Sequence, residues 1–131
     1  MWIFTKDSFL SIAREKGDRR LMVRARFAED ILLVYPHAKI VATPDRDYPF
    51  RAYMTPKAAA KGMAEEVESI YYAKFKPEVK QSKRHTAYMD VWSVMYDWQT
   101  SVTGKPGIFG MGWNFQATFQ DSFDPQDFMR Q

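Results

Sequence analysis

The chain has 131 residues, 46% of them hydrophobic and 27% charged, the composition of one globular domain able to bury roughly two-thirds of its unfolded surface. It has no cysteine, which excludes disulfides, cysteine-ligated zinc and thiol nucleophiles and agrees with a reducing cytoplasm. The net charge is +3, "MWIFTKDSFL" lacks the leader of a signal peptide, and no stretch approaches the ~20 apolar residues of a membrane span, so a cytoplasmic protein without a membrane partner is expected.

Strand signals fill the first 55 residues. "MWIFT" and "FLSIA" are β-rich runs around the turn-forming "KDS", which predicts a hairpin or one bulged strand. After the polar "EKGDRR", the run "LMVRARF" alternates: Leu21, Val23, Ala25 and Phe27 fall on one face, Met22, Arg24 and Arg26 on the other. Its arginines are therefore expected to point away from the core. "AEDILLVYP" reads as a short helix, with Glu29 and Asp30 at its positive end and Pro36 stopping it. "AKIVATP" is a further strand, followed by "YPFRAYMT", where Tyr48, Phe50, Ala52 and Met54 share a face opposite Arg51 and Tyr53.

Helical spacing takes over at "TPKAAAKGMAEEVESIYY". Thr55 suits the cap, Pro56 the first helical position, and Ala60, Met63, Val67, Ile70 and Tyr71 a buried stripe. "SKRHTAYMDVWSVMYDWQT" is a second long helix, its Tyr88, Val91, Trp92, Met95 and Trp98 spaced for burial. This order predicts an α+β fold: an antiparallel sheet with helices packed on one face, in the β-α-β-β-α succession of a ferredoxin-like domain, with a third helix added. The compact domain is expected over residues 1–100, with a Gly- and aromatic-rich flap or tail over 101–131.

Charge is unevenly placed. Residues 14–26 hold six basic side chains against Glu15 and Asp18, and residues 74–84 hold five against Glu78 alone. Beyond Ser101 the balance is slightly acidic, with Asp121, Asp124 and Asp127 against Lys105 and Arg130. The basic blocks permit an anionic partner.

Catalytic and metal motifs are missing. His37 and His85 are the two histidines, and His85, Asp90 and Ser93 sit at spacings that cannot assemble a triad on one helix. No histidine pair has metal-ligand spacing, and "DRD" at Asp45–Asp47 is two acids in a turn. "GIFGMG" lacks the Gly-Lys-Ser/Thr ending of a phosphate-binding loop. No enzyme activity, cofactor or metal is expected.

What remains is the outer face of the sheet. Arg24 and Arg26 come from one strand, Arg51 and Tyr53 from another, and Trp2 and Phe4 from the first. Cations interleaved with rings suit phosphate contact and base stacking. The competing reading is that these arginines solvate an exposed sheet, pair with acids across strands or pack beneath the C-terminal segment. In that segment Phe109, Trp113, Phe115, Phe119, Phe123 and Phe128 are candidate anchors for a partner protein.

The strings "MWIFTKDSFLSI", "LMVRARF", "DYPFRA", "YAKFK" and "RHTAYMDVWSVM", in this order over about residues 1–96, resemble a family of small uncharacterised proteins of bacteria and their phages. The resemblance implies an accessory protein carried by a phage or prophage and supplies no activity. The reading that follows is a non-enzymatic binding protein that engages RNA, DNA or a nucleotide through the sheet face. The alternative is a phage-encoded inhibitor that occludes a host protein such as a defence component. A second copy of the chain is a further candidate partner.

Overall fold

The computed structural model describes residues 1–103, and the C-terminal anchors Phe109, Trp113, Phe115, Phe119, Phe123 and Phe128 lie outside them. The fold is α+β. Five strands form an antiparallel sheet: β1 (Trp2–Phe4), β2 (Phe9–Ala13), β3 (Leu21–Ala25), β4 (Val41–Ala42) and β5 (Phe50–Met54). Three helices accompany it: α1 (Ala28–Val34), α2 (Pro56–Glu68) and α3 (Ser82–Thr103). The chain divides into two compact units, Met1–Tyr88 and Met89–Gln131, so the division falls within α3.

β1 and β2 form the hairpin that their spacing around "KDS" predicts. Thr5 closes the turn: its backbone N–H donates to the Ser8 carbonyl at 2.9 Å, and its hydroxyl oxygen accepts from the Ser8 N–H at 2.9 Å. The connection from β2 to β3 turns at Gly17, whose φ of +84° lies in the left-handed region that glycine enters without a steric penalty. The sheet order is β1-β2-β3-β5-β4. The β-α-β-β-α succession is present from β3 to α2. In a split β-α-β unit the third strand lies between the first two and runs antiparallel to both. Here β5 lies between β3 and β4, and every neighbouring pair is antiparallel.

One face of the sheet carries the core. Leu10, Ile12, Val23, Ala25 and Ala52 pack with Ile31, Val34 and Tyr35 at the end of α1, and Met63 of α2 adds to them. The alternation of "LMVRARF" thus assigns Val23 and Ala25 correctly. Phe27, expected on the same face, is 61% exposed, because β3 ends at Ala25 and Phe27 becomes the extended residue preceding α1. Tyr48 also departs from expectation. It precedes β5, with Pro49 between them, and lies buried against the arginine side instead of beside Phe50.

α2 starts as its sequence dictates: the Thr55 hydroxyl oxygen accepts from the Ala58 N–H at 3.2 Å, and Pro56 takes the first helical position. The buried residues, however, are Ala59 and Gly62; Ala60 and Val67 are exposed, and Ile70 and Tyr71 are exposed beyond the end of α2 at Glu68. The buried side is held by contact of backbone with ring. Gly62 lies so close to the Tyr35 ring that a Cβ there would collide with it, and the Tyr35 hydroxyl donates to the Ala59 carbonyl at 2.8 Å.

The first turns of α3 are tied to the hairpin and α1. Arg84 donates to both carboxylate oxygens of Asp30, at 2.7 and 3.0 Å, and the Tyr88 hydroxyl donates to the Ser8 carbonyl at 2.8 Å. In the second unit, Val94, Met95, Trp98 and Val102 of α3 are exposed. Of the residues spaced for burial, Tyr88 is buried, but Val91, Met95 and Trp98 are exposed, because helical spacing marks an apolar stripe without saying what it meets. Among the described residues, no helix is long and apolar enough to cross a membrane.

Candidate anion-binding face

The strand register builds a row across all five strands: Trp2, Ser11, Arg24, Arg51 and Val41 stand opposite one another in turn. Opposed residues of antiparallel strands share a face. Ala13, Met22 and Tyr53 form a second row beside it, and Phe4 pairs with Phe9. All six residues singled out from sequence therefore come from the first unit, and five are described here by their strand position. Arg26 follows β3 directly, exposed, with its guanidinium donating to the Asp47 carbonyl at 2.9 Å.

This face is less open than the alternation predicts. Ser11 is 1% exposed and Arg51 only 9%, while Met22 is buried and Arg24 half-buried. Tyr48 explains part of this: the guanidinium carbons of Arg24 and Arg26 lie 4.7 and 5.0 Å from the centre of its ring. Such stacking contributes about 0.5–2 kcal/mol per pair, more where water is excluded. Arg20 lies over Tyr53 in the same way, at 4.9 Å.

The rings divide into two groups. Phe4 stacks on Phe9 at 4.6 Å and meets the edge of Tyr88 at 5.1 Å, so it serves packing. Trp2 meets Phe9 in a T-shaped contact at 6.1 Å and remains 67% exposed. Tyr53 is half-buried beneath Arg20.

The electrostatics centre on Arg24 and Arg51, two like charges directly opposed on adjacent strands, an unfavourable arrangement unless something neutralises it. Arg24 donates to the Ser11 hydroxyl oxygen at 2.8 Å and has no acidic partner among the described residues. Arg51 donates to the Met22 sulfur at 3.1 Å, a weak acceptor, and its carboxylate neighbour Asp47 is exposed and 3.9 Å away. The Nε–H groups of both arginines are withdrawn from solvent and have no hydrogen-bond acceptor among the described residues. Buried guanidinium groups are ordinarily paired, and each unmade hydrogen bond costs about 1–3 kcal/mol.

The contrast within the same unit is Arg84. Burial acts against its charge, but its hydrogen bonds to Asp30 and Tyr88 and the charge of the Asp30 carboxylate outweigh it, and its pKa is raised. Asp30 also accepts the Phe9 N–H at 2.8 Å. That is a satisfied structural pair. Arg24 and Arg51 are not satisfied in this way.

Sequence reading missed Tyr48 and Ser11 as members of this face, and it placed Met22 there beside Arg24 without its burial. Ser11 had a usable signal, since "FLSIA" places Phe9, Ser11 and Ala13 on the side of Trp2 and Phe4 once the hairpin register is known. Tyr48 had none, because it lies outside the strand alternation. A second feature lies on α3, where Trp92, Met95, Tyr96, Trp98 and Gln99 border a groove of about 470 Å³. No group of three or more metal-ligating side chains occurs among the described residues. Compared with protein-family models, curated proteins and solved structures, the chain matches none of them.

Proposed function

We propose that this is a cytoplasmic, non-enzymatic binding protein whose basic, aromatic sheet face engages an anionic ligand: single-stranded RNA or DNA, or a nucleotide. The observation that carries this reading is the opposed pair Arg24 and Arg51, whose two buried Nε–H groups lack acceptors among the described residues. An oxyanion would supply the missing charge and the missing acceptors together. Arg26 adds a third, exposed cation beside them, and the exposed Trp2 offers a ring for a base. A titration of a labelled single-stranded oligonucleotide, followed by fluorescence anisotropy, tests the reading. Replacing Arg24, Arg26 and Arg51 together by Gln should weaken binding at least about tenfold while the circular dichroism spectrum is kept. Undiminished binding by the variant would remove the sheet face from the account.

A second reading rests on α3. Its exposed Val94, Met95, Trp98 and Val102 form an apolar stripe of the kind that protein interfaces use. In this reading the protein is a phage-encoded inhibitor that occludes a host protein, with Trp98 as an anchor. Trp98→Ala should then abolish the complex while oligonucleotide binding stays as it was.

A further inference from the structure

We propose that Arg24, Arg51 and Ser11 form a site for a single phosphate group, one that takes the terminal phosphate of a nucleotide or strand in preference to internal phosphodiesters. The inference rests on the sheet face being an anion-binding surface and specifies which anion the face is built for.

Three observations point to one group. The first is register: Ser11 opposes Arg24 and Arg24 opposes Arg51, so the three side chains spring from consecutive strands in one row. Directly opposed side chains begin about 4.5–5.5 Å apart, which lets two guanidinium groups converge on one ligand group. The second is donor count. The Nε–H groups of Arg24 and Arg51 have no acceptor among the described residues. The Ser11 hydroxyl accepts from Arg24 at 2.8 Å, which leaves its own proton to donate. A terminal phosphate presents three acceptor oxygens and about −1.5 to −2 charges, matching three donors and two cations. A phosphodiester offers a single charge.

The third observation is burial. Arg51 and Ser11 are almost withdrawn from solvent, whereas Arg24 is half-buried. A strand bound through an internal phosphate must both enter and leave, which needs an open groove. A terminal group needs one entry, which the half-buried Arg24 would give by swinging outward. Tyr48, held against Arg24 and Arg26, walls the other side.

The test uses the full chain and three internally labelled single strands of one sequence, ending in a 5′-phosphate, a 3′-phosphate or hydroxyls only. One phosphorylated strand should bind about tenfold tighter than the hydroxyl-ended strand, the worth of one charge-assisted contact. Inorganic phosphate should compete away that advantage. Arg51→Gln should abolish it while the hydroxyl-ended strand still binds. Ser11→Ala, a smaller change, should reduce it about threefold if Arg51→Gln does not fold. Equal affinity for all three strands overturns the one-phosphate site and leaves the anion-binding face standing. Binding of none of them overturns both.

Discussion

Arg84 grips Asp30 across 54 positions of chain, donating to both carboxylate oxygens at 2.7 and 3.0 Å, and in doing so fastens the start of α3 to α1. Asp30 is 3% exposed and also accepts the Phe9 N–H, so the same carboxylate anchors β2. Removing one partner of a buried pair strands the other charge, which costs about 3–5 kcal/mol. Arg84→Met should therefore lower the unfolding free energy in urea by about that much, out of the roughly 5–15 kcal/mol a domain has. Asp30→Asn in the same chain should restore part of the loss. A cost of under about 1 kcal/mol would mean the pair is solvated and weak.

Arg51→Met should do the reverse and raise stability. Arg51 opposes Arg24, its Nε–H lacks an acceptor among the described residues, and its counter-ion Asp47 is exposed and 3.9 Å away. Removing the guanidinium removes a buried donor left without an acceptor, a cost of about 1–3 kcal/mol. Binding sites commonly carry such instability. Thermal unfolding of the two proteins without ligand decides the matter. A large fall in melting temperature would show that Arg51 is structural.

Gly62 sets how closely α2 approaches Tyr35. Alanine is the better helix former by about 1 kcal/mol, but its Cβ would meet a ring held in place by the hydrogen bond to Ala59. Overpacking of that kind costs about 1–3 kcal/mol, so Gly62→Ala should be net destabilising in urea unfolding. Tyr35→Leu in the same chain should recover the helix gain. If Gly62→Ala alone is stabilising, the contact is looser than described.

Lys76 gives a test by pH. Burial lowers its pKa to about 8 from 10.5, so the folded state disfavours the charged amine. Below pH 8 both states hold the proton and the penalty is complete. Between pH 8 and 10.5 the unfolded state holds it more fully, and by linkage the stability contributed by this residue rises with pH across that window. Wild type should gain on Lys76→Met as pH rises from 8 to 10.5. A constant difference between the two proteins would show an ordinary, solvated lysine.

Much of the fold is legible in the sequence because alternation and capping are local. Val23 and Ala25 against Arg24 follow from period-2 spacing, and Thr55 with Pro56 marks the start of α2. Strand pairing is not local. Nothing in "LMVRARF" or "YPFRAYMT" says that Arg24 will face Arg51, and that register is what turns scattered arginines into a site. Burial of the second face escaped notice for a related reason. Alternation sorts residues between two sides without saying whether the second side meets water, and Ser11, Met22 and Arg51 do not. The α2 stripe was misplaced because the helix ends at Glu68, before Ile70 and Tyr71, and because its buried side includes Gly62 against Tyr35, which apolar periodicity does not count.

The dependence of oligonucleotide affinity on salt tests the central claim most directly. Each phosphate charge neutralised on a single strand contributes about −0.7 to the slope of log affinity against log salt concentration, hence about −2 for the three charges set against Arg24, Arg26 and Arg51. Wild type should show that slope. The triple Gln variant, still folded, should lose most of it along with most of its affinity. Binding that ignores salt, or a slope unchanged by the three substitutions, would contradict the account.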